Sequence, residues 1–325
     1  MTCRCLIVAA ILLLVLGSPA AARGLSLETI NAAEWSARKK IEGVDPTIIK
    51  AQVLLDRARL SPGVIDGIPS ENFRKALGAF QRAQQLKDDG RLDASTWAKL
   101  NEDAGSPVVV QYTITNADVS GPFTPNIPAK MEDKAKLKRL DYSGPLQLLA
   151  EKFHMDEKLL RALNPGKTFS QAGESIVVAD VNRDPGKRRA ARIEIDKQSR
   201  LVRAIGRDGE LIASYPASIG SQEKPAPTGS FKVGAIEANP VYRYDPKFQF
   251  KGVKTQRPFA IRPGPNNPVG SVWISLSLPT YGIHGTPEPA KVSKAYSHGC
   301  IRLTNWDAKD LASLVAKGTP VEFLD

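Results

Sequence analysis

The sequence predicts a multidomain chain: a small all-α module of three helices, a small α+β module, and a C-terminal mostly-β domain. Three observations predict it. Apolar residues recur at helical spacing between Pro46 and Leu100, the text turns to strand-like alternation from Ala191 onward, and a turn-rich basic run, Asp184-Pro185-Gly186-Lys187-Arg188-Arg189, precedes that change. At 325 residues the chain has room for two or three domains.

The first 22 residues stand apart. Arg4 is followed by 11 apolar residues, Leu6 to Leu16, and Ser18-Pro19-Ala20-Ala21-Ala22 ends in a small-residue cleavage pattern. Residues 1–22 therefore read as a secretory signal peptide, and the expected product is exported, in the periplasm or bacterial cell envelope. A membrane anchor is the competing reading, but spanning takes roughly 20 apolar residues, and no second stretch approaches that length. No stable membrane insertion is expected after signal cleavage. Cys3 and Cys5 leave with the signal, so Cys300 becomes the one cysteine of an exported chain and has no internal disulfide partner.

Residues 45–104 form the helical module. Ile48, Ile49, Gln52, Val53 and Leu55 predict a first amphipathic helix. Ser70 caps a second, in which Phe73, Ala76, Leu77 and Phe80 share a face, and Asp93 caps a third holding Trp97 and Leu100. Asp66-Gly67 and Asp89-Gly90 are turns between them. In residues 108–181, Tyr112-Thr113-Ile114 opens a strand, Leu146–Phe153 and Glu157–Leu163 read as helices, Asn164-Pro165-Gly166 turns, and Gly173–Val178 is a second strand. Pro122, Pro125 and Pro128 predict an extended loop within an insertion over Ala117 to about Asp141. Residues 182–190 read as a solvated linker.

In residues 191–325, Arg192–Asp196, Leu201–Ile205, Leu211–Ser218, Phe231–Ile236, Phe259–Ile261, Val272–Leu278 and Val321–Leu324 are candidate strands, with Asp208-Gly209 as a hairpin turn. One helix is expected over Asp307–Ala316, capped by Thr304 or Asn305 and stopped by Gly318.

Lys and Arg total 45 against 34 Asp and Glu, a net charge of +11 that favours an acidic partner: nucleic acid, an anionic membrane surface or a carboxylate-rich polymer. Export and the lack of a groove-reading motif argue against nucleic acid.

The chemistry concentrates near the C-terminus. Of three histidines, His284 and His298 lie within 16 residues of Cys300, in Tyr281-Gly282-Ile283-His284-Gly285-Thr286 and Ser297-His298-Gly299-Cys300-Ile301-Arg302. A thiol attacks as thiolate, so it needs a base and a positive surrounding. His284 is the candidate base, and the Gly285 carbonyl can hold its second ring N–H and fix the tautomer. Gly299 admits close approach of substrate, and the N–H groups near Gly299 and Cys300 are candidate oxyanion donors. Two bland readings compete. Two histidines and one cysteine leave a metal ligand set short, so no metal and no cofactor are assigned. A buried structural cysteine is the other, but flanking glycines and a polar Ser-His make poor core text.

Two resemblances follow from these residues. Gln52, Leu55, Asp66-Gly67, Ala76, Phe80-Gln81, Leu86, Gly90, Asp93, Thr96-Trp97 and Leu100, in that order, resemble the peptidoglycan-binding domain found beside bacterial wall hydrolases and transpeptidases; the alternative is an ordinary three-helix core in which Phe80 and Trp97 merely pack. Residues 108–181 resemble a glycan-binding LysM module with an insertion, or are a spacer that binds nothing.

His284, followed after 12 intervening residues by Ser297-His298-Gly299-Cys300, resembles the signature of the bacterial L,D-transpeptidase catalytic domain, and Pro227-Thr228-Gly229-Ser230-Phe231 is similar to that family's turn into a strand before the site. Arg302 stands where many members have Asn, as in a large subgroup. The resemblance implies a β-sandwich-like domain with the cysteine in a cleft partly covered by a loop. It implies that Cys300 attacks the bond after the diaminopimelate of a tetrapeptide stem, expels D-alanine and holds a thioester that an amine collects, in peptidoglycan cross-linking. Carried over, Cys300 is nucleophile, His284 base and Gly285 the orienting carbonyl. Ser297 and His298 shape the cysteine turn, and His298 is alternatively a substrate contact. Arg302 either pairs a stem carboxylate or faces solvent, and Tyr281 and Trp273 either line the pocket or pack. The competing functions are L,D-carboxypeptidase action, protein attachment to the wall, and a catalytically inactive wall-binding scaffold.

Overall fold

Helices α1 (Leu27–Asn31), α2 (Pro46–Arg57), α3 (Glu71–Ala83) and α4 (Ala94–Glu102) open the computed structural model, which describes residues 25–37, 42–102, 105–183, 188–220, 225–248, 253, 255–294 and 299–325. The segment read as a signal peptide lies outside the described residues. Local chemistry sets the helix starts: Asp45 accepts from Thr47 N with Pro46 at the first turn, Ser70 accepts from Phe73 N, and Asp93 accepts from Thr96 N at 2.8 Å. Two buried glutamines then lock the two Asp-Gly turns. Gln52 Oε1 accepts from Asp66 N and Gly67 N at 3.1 and 2.8 Å, and Gln81 Oε1 accepts from Gly90 N at 2.8 Å. Both glycines need their hydrogen side chain: Gly67 and Gly90 have φ of +72° and +68°, and a Cβ on Gly90 would lie 2.6 Å from the Arg74 carbonyl.

Strands β1 (Val109–Thr113) and β2 (Ser175–Ala179) pair antiparallel around α5 (Asn116–Val119), α6 (Met131–Lys134), α7 (Pro145–Lys152) and α8 (Glu157–Leu163). Asn164 ties α8 to β2, its amide donating to Leu160 O and Val177 O and accepting from Val177 N. The insertion is not wholly extended. Thr115 and Asp118 form a capping box that winds one turn of α5, and α6 adds another after the proline-rich stretch. The helical and middle segments share one apolar core containing Ile48, Leu55, Leu77, Leu149, Leu160 and Ile176.

The C-terminal domain contains β3 (Arg192–Asp196), β4 (Leu201–Ile205), β5 (Leu211–Pro216), β6 (Ser218–Ile219), β7 (Gly229–Ala238), β8 (Tyr242–Tyr244), β9 (Phe259–Ile261), β10 (Val272–Leu276), β11 (Gly282–His284), β12 (Ile301–Arg302), α9 (Asn305–Leu314) and β13 (Pro320–Leu324). Among the described residues, nine strands form one sheet in the order β5-β4-β3-β13-β7-β10-β11-β12-β6, and β8 and β9 pair separately. The long β7 joins its halves: Gly229–Lys232 pair with β13, and Val233–Ala238 pair with β10. Apolar side chains of both halves, such as Ile195, Val202 and Val321 with Ile274, Ile283 and Ile301, meet in one core that Ala308, Leu311 and Leu314 of α9 close. The strand expected over Leu211–Ser218 is broken at Ala217, whose N–H turns to Arg200 O, and Thr304 rather than Asn305 caps α9.

The two bodies meet through buried polar groups. Asp310 of α9 takes Arg59 Nε at 3.3 Å, Arg183 at 3.1 Å and the Tyr215 hydroxyl at 2.6 Å. His154 Nδ1 lies 3.0 Å from Asp56, its ring stacked on Trp306 with centroids 5.1 Å apart. Arg183 thus departs from the expected solvated linker, because two buried carboxylates claim its guanidinium. Burial pushes Asp307 up, reinforced by the nearby Asp56 charge, and Asp307 accepts from Ser61 Oγ at 2.9 Å. Burial would also raise Asp56, but the charges of His154, Arg183 and Arg57 outweigh it and hold Asp56 low.

Candidate active site

Three neighbouring strands assemble the site. β10 and β11 pair antiparallel with Trp273 opposite His284, and β11 and β12 pair parallel with His284 opposite Arg302. Cys300 immediately precedes the paired residues of β12, which brings a cysteine and a histidine 16 positions apart to adjacent strands. The ladder continues as Leu303 N donates to His284 O at 2.8 Å.

His284 is buried and its ring is held by two contacts among the described residues. Its Nδ1 lies 2.6 Å from the Gly285 carbonyl, so Nδ1 carries the proton and Nε2 keeps its lone pair. Its ring stacks on Trp273 at 5.4 Å and 21°. Trp273 can lie there because residue 282 is glycine: a Cβ on Gly282 would come 2.5 Å from the indole. Gly285 is required for the same kind of reason, since a Cβ there would lie 2.2 Å from Asn305 Oδ1. Burial lowers the His284 pKa to about 3, helped by the positive Arg302 and opposed by the Gly285 hydrogen bond.

His284 is therefore neutral throughout the neutral pH range, a proton acceptor without a resident proton on Nε2. Because the folded pKa lies below that of a free histidine, its contribution to stability is complete above pH ~6.5 and is lost as pH falls toward 3, by as much as about 5 kcal/mol. The His284 ring nitrogens should show no titration by NMR between about pH 5 and pH 8. A midpoint near 6.5 would contradict this electrostatic environment.

Cys300 is half-buried, and its thiol donates to Thr280 O at 3.6 Å. Gly299 has a φ of +105°, and a Cβ there would lie 3.3 Å from the Tyr281 ring, so Tyr281 walls the turn that carries the nucleophile candidate. Arg302 does not face open solvent. Its side chain is largely buried and its Nε has no hydrogen-bond partner among the described residues. Burial depresses its pKa, while Glu288 and Cys300 pull it back up. Ser297 and His298 lie outside the described residues.

Tyr242 and Asn305 lie near these residues, and sequence reasoning assigned neither a role beside them. Burial pushes the Tyr242 phenol well up, and the nearby Cys300 and Tyr244 push further; β8 brings this residue to the cysteine from about 60 positions away. Asn305 fills the space that Gly270 and Gly285 leave open. A Gly-rich stretch facing a capped helix start is the signal that could have pointed to Asn305; nothing in the local text marks Tyr242.

The L,D-transpeptidase catalytic domain family matches residues 190–323, and a peptidoglycan binding domain family matches residues 44–100. YkuD of Bacillus licheniformis, named as an L,D-transpeptidase, is 34% identical over 178 residues, spanning 54% of this chain and 91% of that protein. YkuD of Bacillus subtilis is 35% identical over 114 residues, 35% of this chain and 54% of its own length. Among solved structures, L,D-transpeptidase 3 of Mycobacterium tuberculosis is 19% identical, with 41% of this chain and 60% of that one covered and a TM-score of 0.34. A peptidoglycan-binding domain thus precedes a catalytic domain whose relatives are acyltransferases, and the chain belongs to the YkuD family of L,D-transpeptidases.

Proposed function

We propose that this enzyme acts on peptidoglycan outside the cytoplasm, with Cys300 as nucleophile and His284 as general base. The observation that carries the reading is the 2.6 Å contact of His284 Nδ1 with the Gly285 carbonyl, which leaves Nε2 as the acceptor beside the strand that Cys300 leads into. In the first step His284 Nε2 takes the thiol proton as the sulfur attacks the carbonyl carbon between diaminopimelate and the terminal D-alanine of a tetrapeptide stem. The C–N bond breaks, His284 returns the proton to the departing amine, D-alanine leaves, and the acyl group remains as a thioester. An amine of a neighbouring stem then attacks the thioester and regenerates the thiol.

The roles of the other groups follow from their positions. N–H groups near Gly299 and Cys300 receive the developing oxyanion. The largely buried guanidinium of Arg302 favours a negative sulfur over a positive imidazole. Residues 1–22 direct export, and the N-terminal modules keep the cleft near the polymer and so raise effective substrate concentration.

The mature enzyme and its Cys300→Ala variant, each incubated with disaccharide-tetrapeptide and read by mass spectrometry, test the reading. Loss of one alanine that depends on Cys300, with dimers accumulating, is the expected result. Tripeptide monomers alone would make water the acceptor, and equal turnover by both proteins would remove Cys300 from the reaction.

A further inference from the structure

Helix α7 belongs to the middle module, yet two of its side chains, one turn apart, reach into the C-terminal domain. Gln147 exchanges paired hydrogen bonds with the Asn266 amide, both at 2.9 Å. Glu151 accepts from Asn305 Nδ2 with its two oxygens at 3.2 and 3.0 Å. Asn305 has no freedom left: Nδ2 also donates to Pro265 O at 3.2 Å, and Oδ1 accepts from Ser271 N at 3.1 Å. The donors and acceptors around it fix which way the amide points. Its Oδ1 occupies the space where a Cβ of Gly270 or Gly285 would fall, at 2.1 and 2.2 Å. The next carbonyl is that of Gly285, the one that holds His284 Nδ1.

We infer that Glu151 of the middle module is a positioning residue for the catalytic base: it fixes the Asn305 amide against Gly285, and Gly285 in turn fixes the tautomer and aim of His284. This rests on the proposed role of His284. An unbroken chain of contacts runs from Glu151 through Asn305 and Gly285 to the imidazole and crosses 154 positions of sequence at its first link. The site of Glu151 is itself unfavourable for an ionised carboxylate. Burial raises its pKa to about 7, opposed by the hydrogen bonds of Asn305 and Tyr142 and the charge of Lys309, and reinforced by Glu157. A purely structural position of this kind is served as well or better by an apolar side chain, whereas the chain of contacts gives a carboxylate a reason to be there. It follows that the C-terminal domain depends on its neighbour for more than tethering.

The test uses the full-length enzyme with Glu151→Leu, Glu151→Gln, Asn305→Ala and the double variant Glu151→Leu/Asn305→Ala. Two readouts are taken: the His284 ring nitrogen signals without substrate, and kcat and KM on disaccharide-tetrapeptide. Glu151→Leu should lower kcat about 10- to 100-fold with KM changed less than about threefold, and should turn the single Nδ1-protonated tautomer of His284 into a mixture. Glu151→Gln keeps an acceptor oxygen and should hold kcat within about threefold of the parent. The losses of Glu151→Leu and Asn305→Ala should not add in the double variant. A folded Glu151→Leu enzyme with an unchanged His284 tautomer and kcat, or single losses that add fully, would overturn the inference. Should Glu151→Leu not fold, a tautomer left unchanged by Asn305→Ala overturns it instead. If the parent itself shows no turnover, the functional reading fails while the NMR readout still decides the role of Glu151.

Discussion

Replacing His284 by glutamine, which fills much of the same volume against Trp273, is expected to lower kcat about a thousandfold. The size follows from the geometry. Nε2 has its lone pair free because Nδ1 is committed to the Gly285 carbonyl at 2.6 Å, and the ring is clamped by its stack on Trp273. A primary amide can accept a hydrogen bond, but it cannot take a proton from a thiol at neutral pH. Stability at pH 7 should change far less than activity, because the imidazole there is already neutral and buried. Single-turnover rates with disaccharide-tetrapeptide, paired with urea unfolding of both proteins, check this. A rate within tenfold of the parent would mean that another group serves as base.

Asp310→Ala is expected to have the largest effect on stability, a loss of about 3–5 kcal/mol at pH 7. The carboxylate sits between Arg59 at 3.3 Å, Arg183 at 3.1 Å and the Tyr215 hydroxyl at 2.6 Å, and all of these side chains are largely buried. Without it, Arg183 keeps Asp56 as its remaining ion-pair partner among the described residues, and the hydroxyl of Tyr215 loses the acceptor at which it is aimed. A buried cation stripped of a partner costs more than the pair contributes, because its desolvation is no longer offset. Asp88→Ala is the matched control. Its pair with Arg82 is exposed on both sides, 60% and 51%, and should be worth less than about 1 kcal/mol. Urea unfolding at pH 7 measures both. A loss below about 1 kcal/mol for Asp310→Ala would mean that water reaches the joint and the charges there are screened.

What the sequence disclosed, and what it hid, follows from where each residue finds its partners. The pairing of His284 with Gly285 was legible because it is local, the glycine directly following the histidine, whereas the approach of Cys300 rests on the parallel pairing of β11 and β12 across the residues between them. The three helices of the first module were legible for the same reason, since caps and turn dipeptides act within a few residues. Gln52 and Gln81 were visible as parts of a pattern, but their task of clamping the Asp-Gly turns appears only when the helices are placed against the turns. Strands β8 and β12, at three and two residues, are too short to show a period.

Residues whose partners lie far along the chain were opaque. Nothing in the local text marks Glu151, Asp56, Asp307 or Asp310, whose partners appear only when α2, α7 and α9 are brought together. Arg183 was read as part of a wet linker because its carboxylates come from α2 and α9. Arg302 was left between cleft and solvent by the sequence; the parallel pairing of β12 with β11 settles its burial beside His284. In each case the information is tertiary, and no local propensity carries it.

The most direct measurement is the intact mass of the enzyme trapped by acid within seconds of mixing with disaccharide-tetrapeptide. The expected result is an adduct equal to the substrate less one alanine, localised to Cys300 by peptide mapping, labile to hydroxylamine as a thioester, and absent from Cys300→Ala. A protein that turns the substrate over without any adduct on Cys300, or that carries the same adduct after Cys300→Ala, would contradict the account.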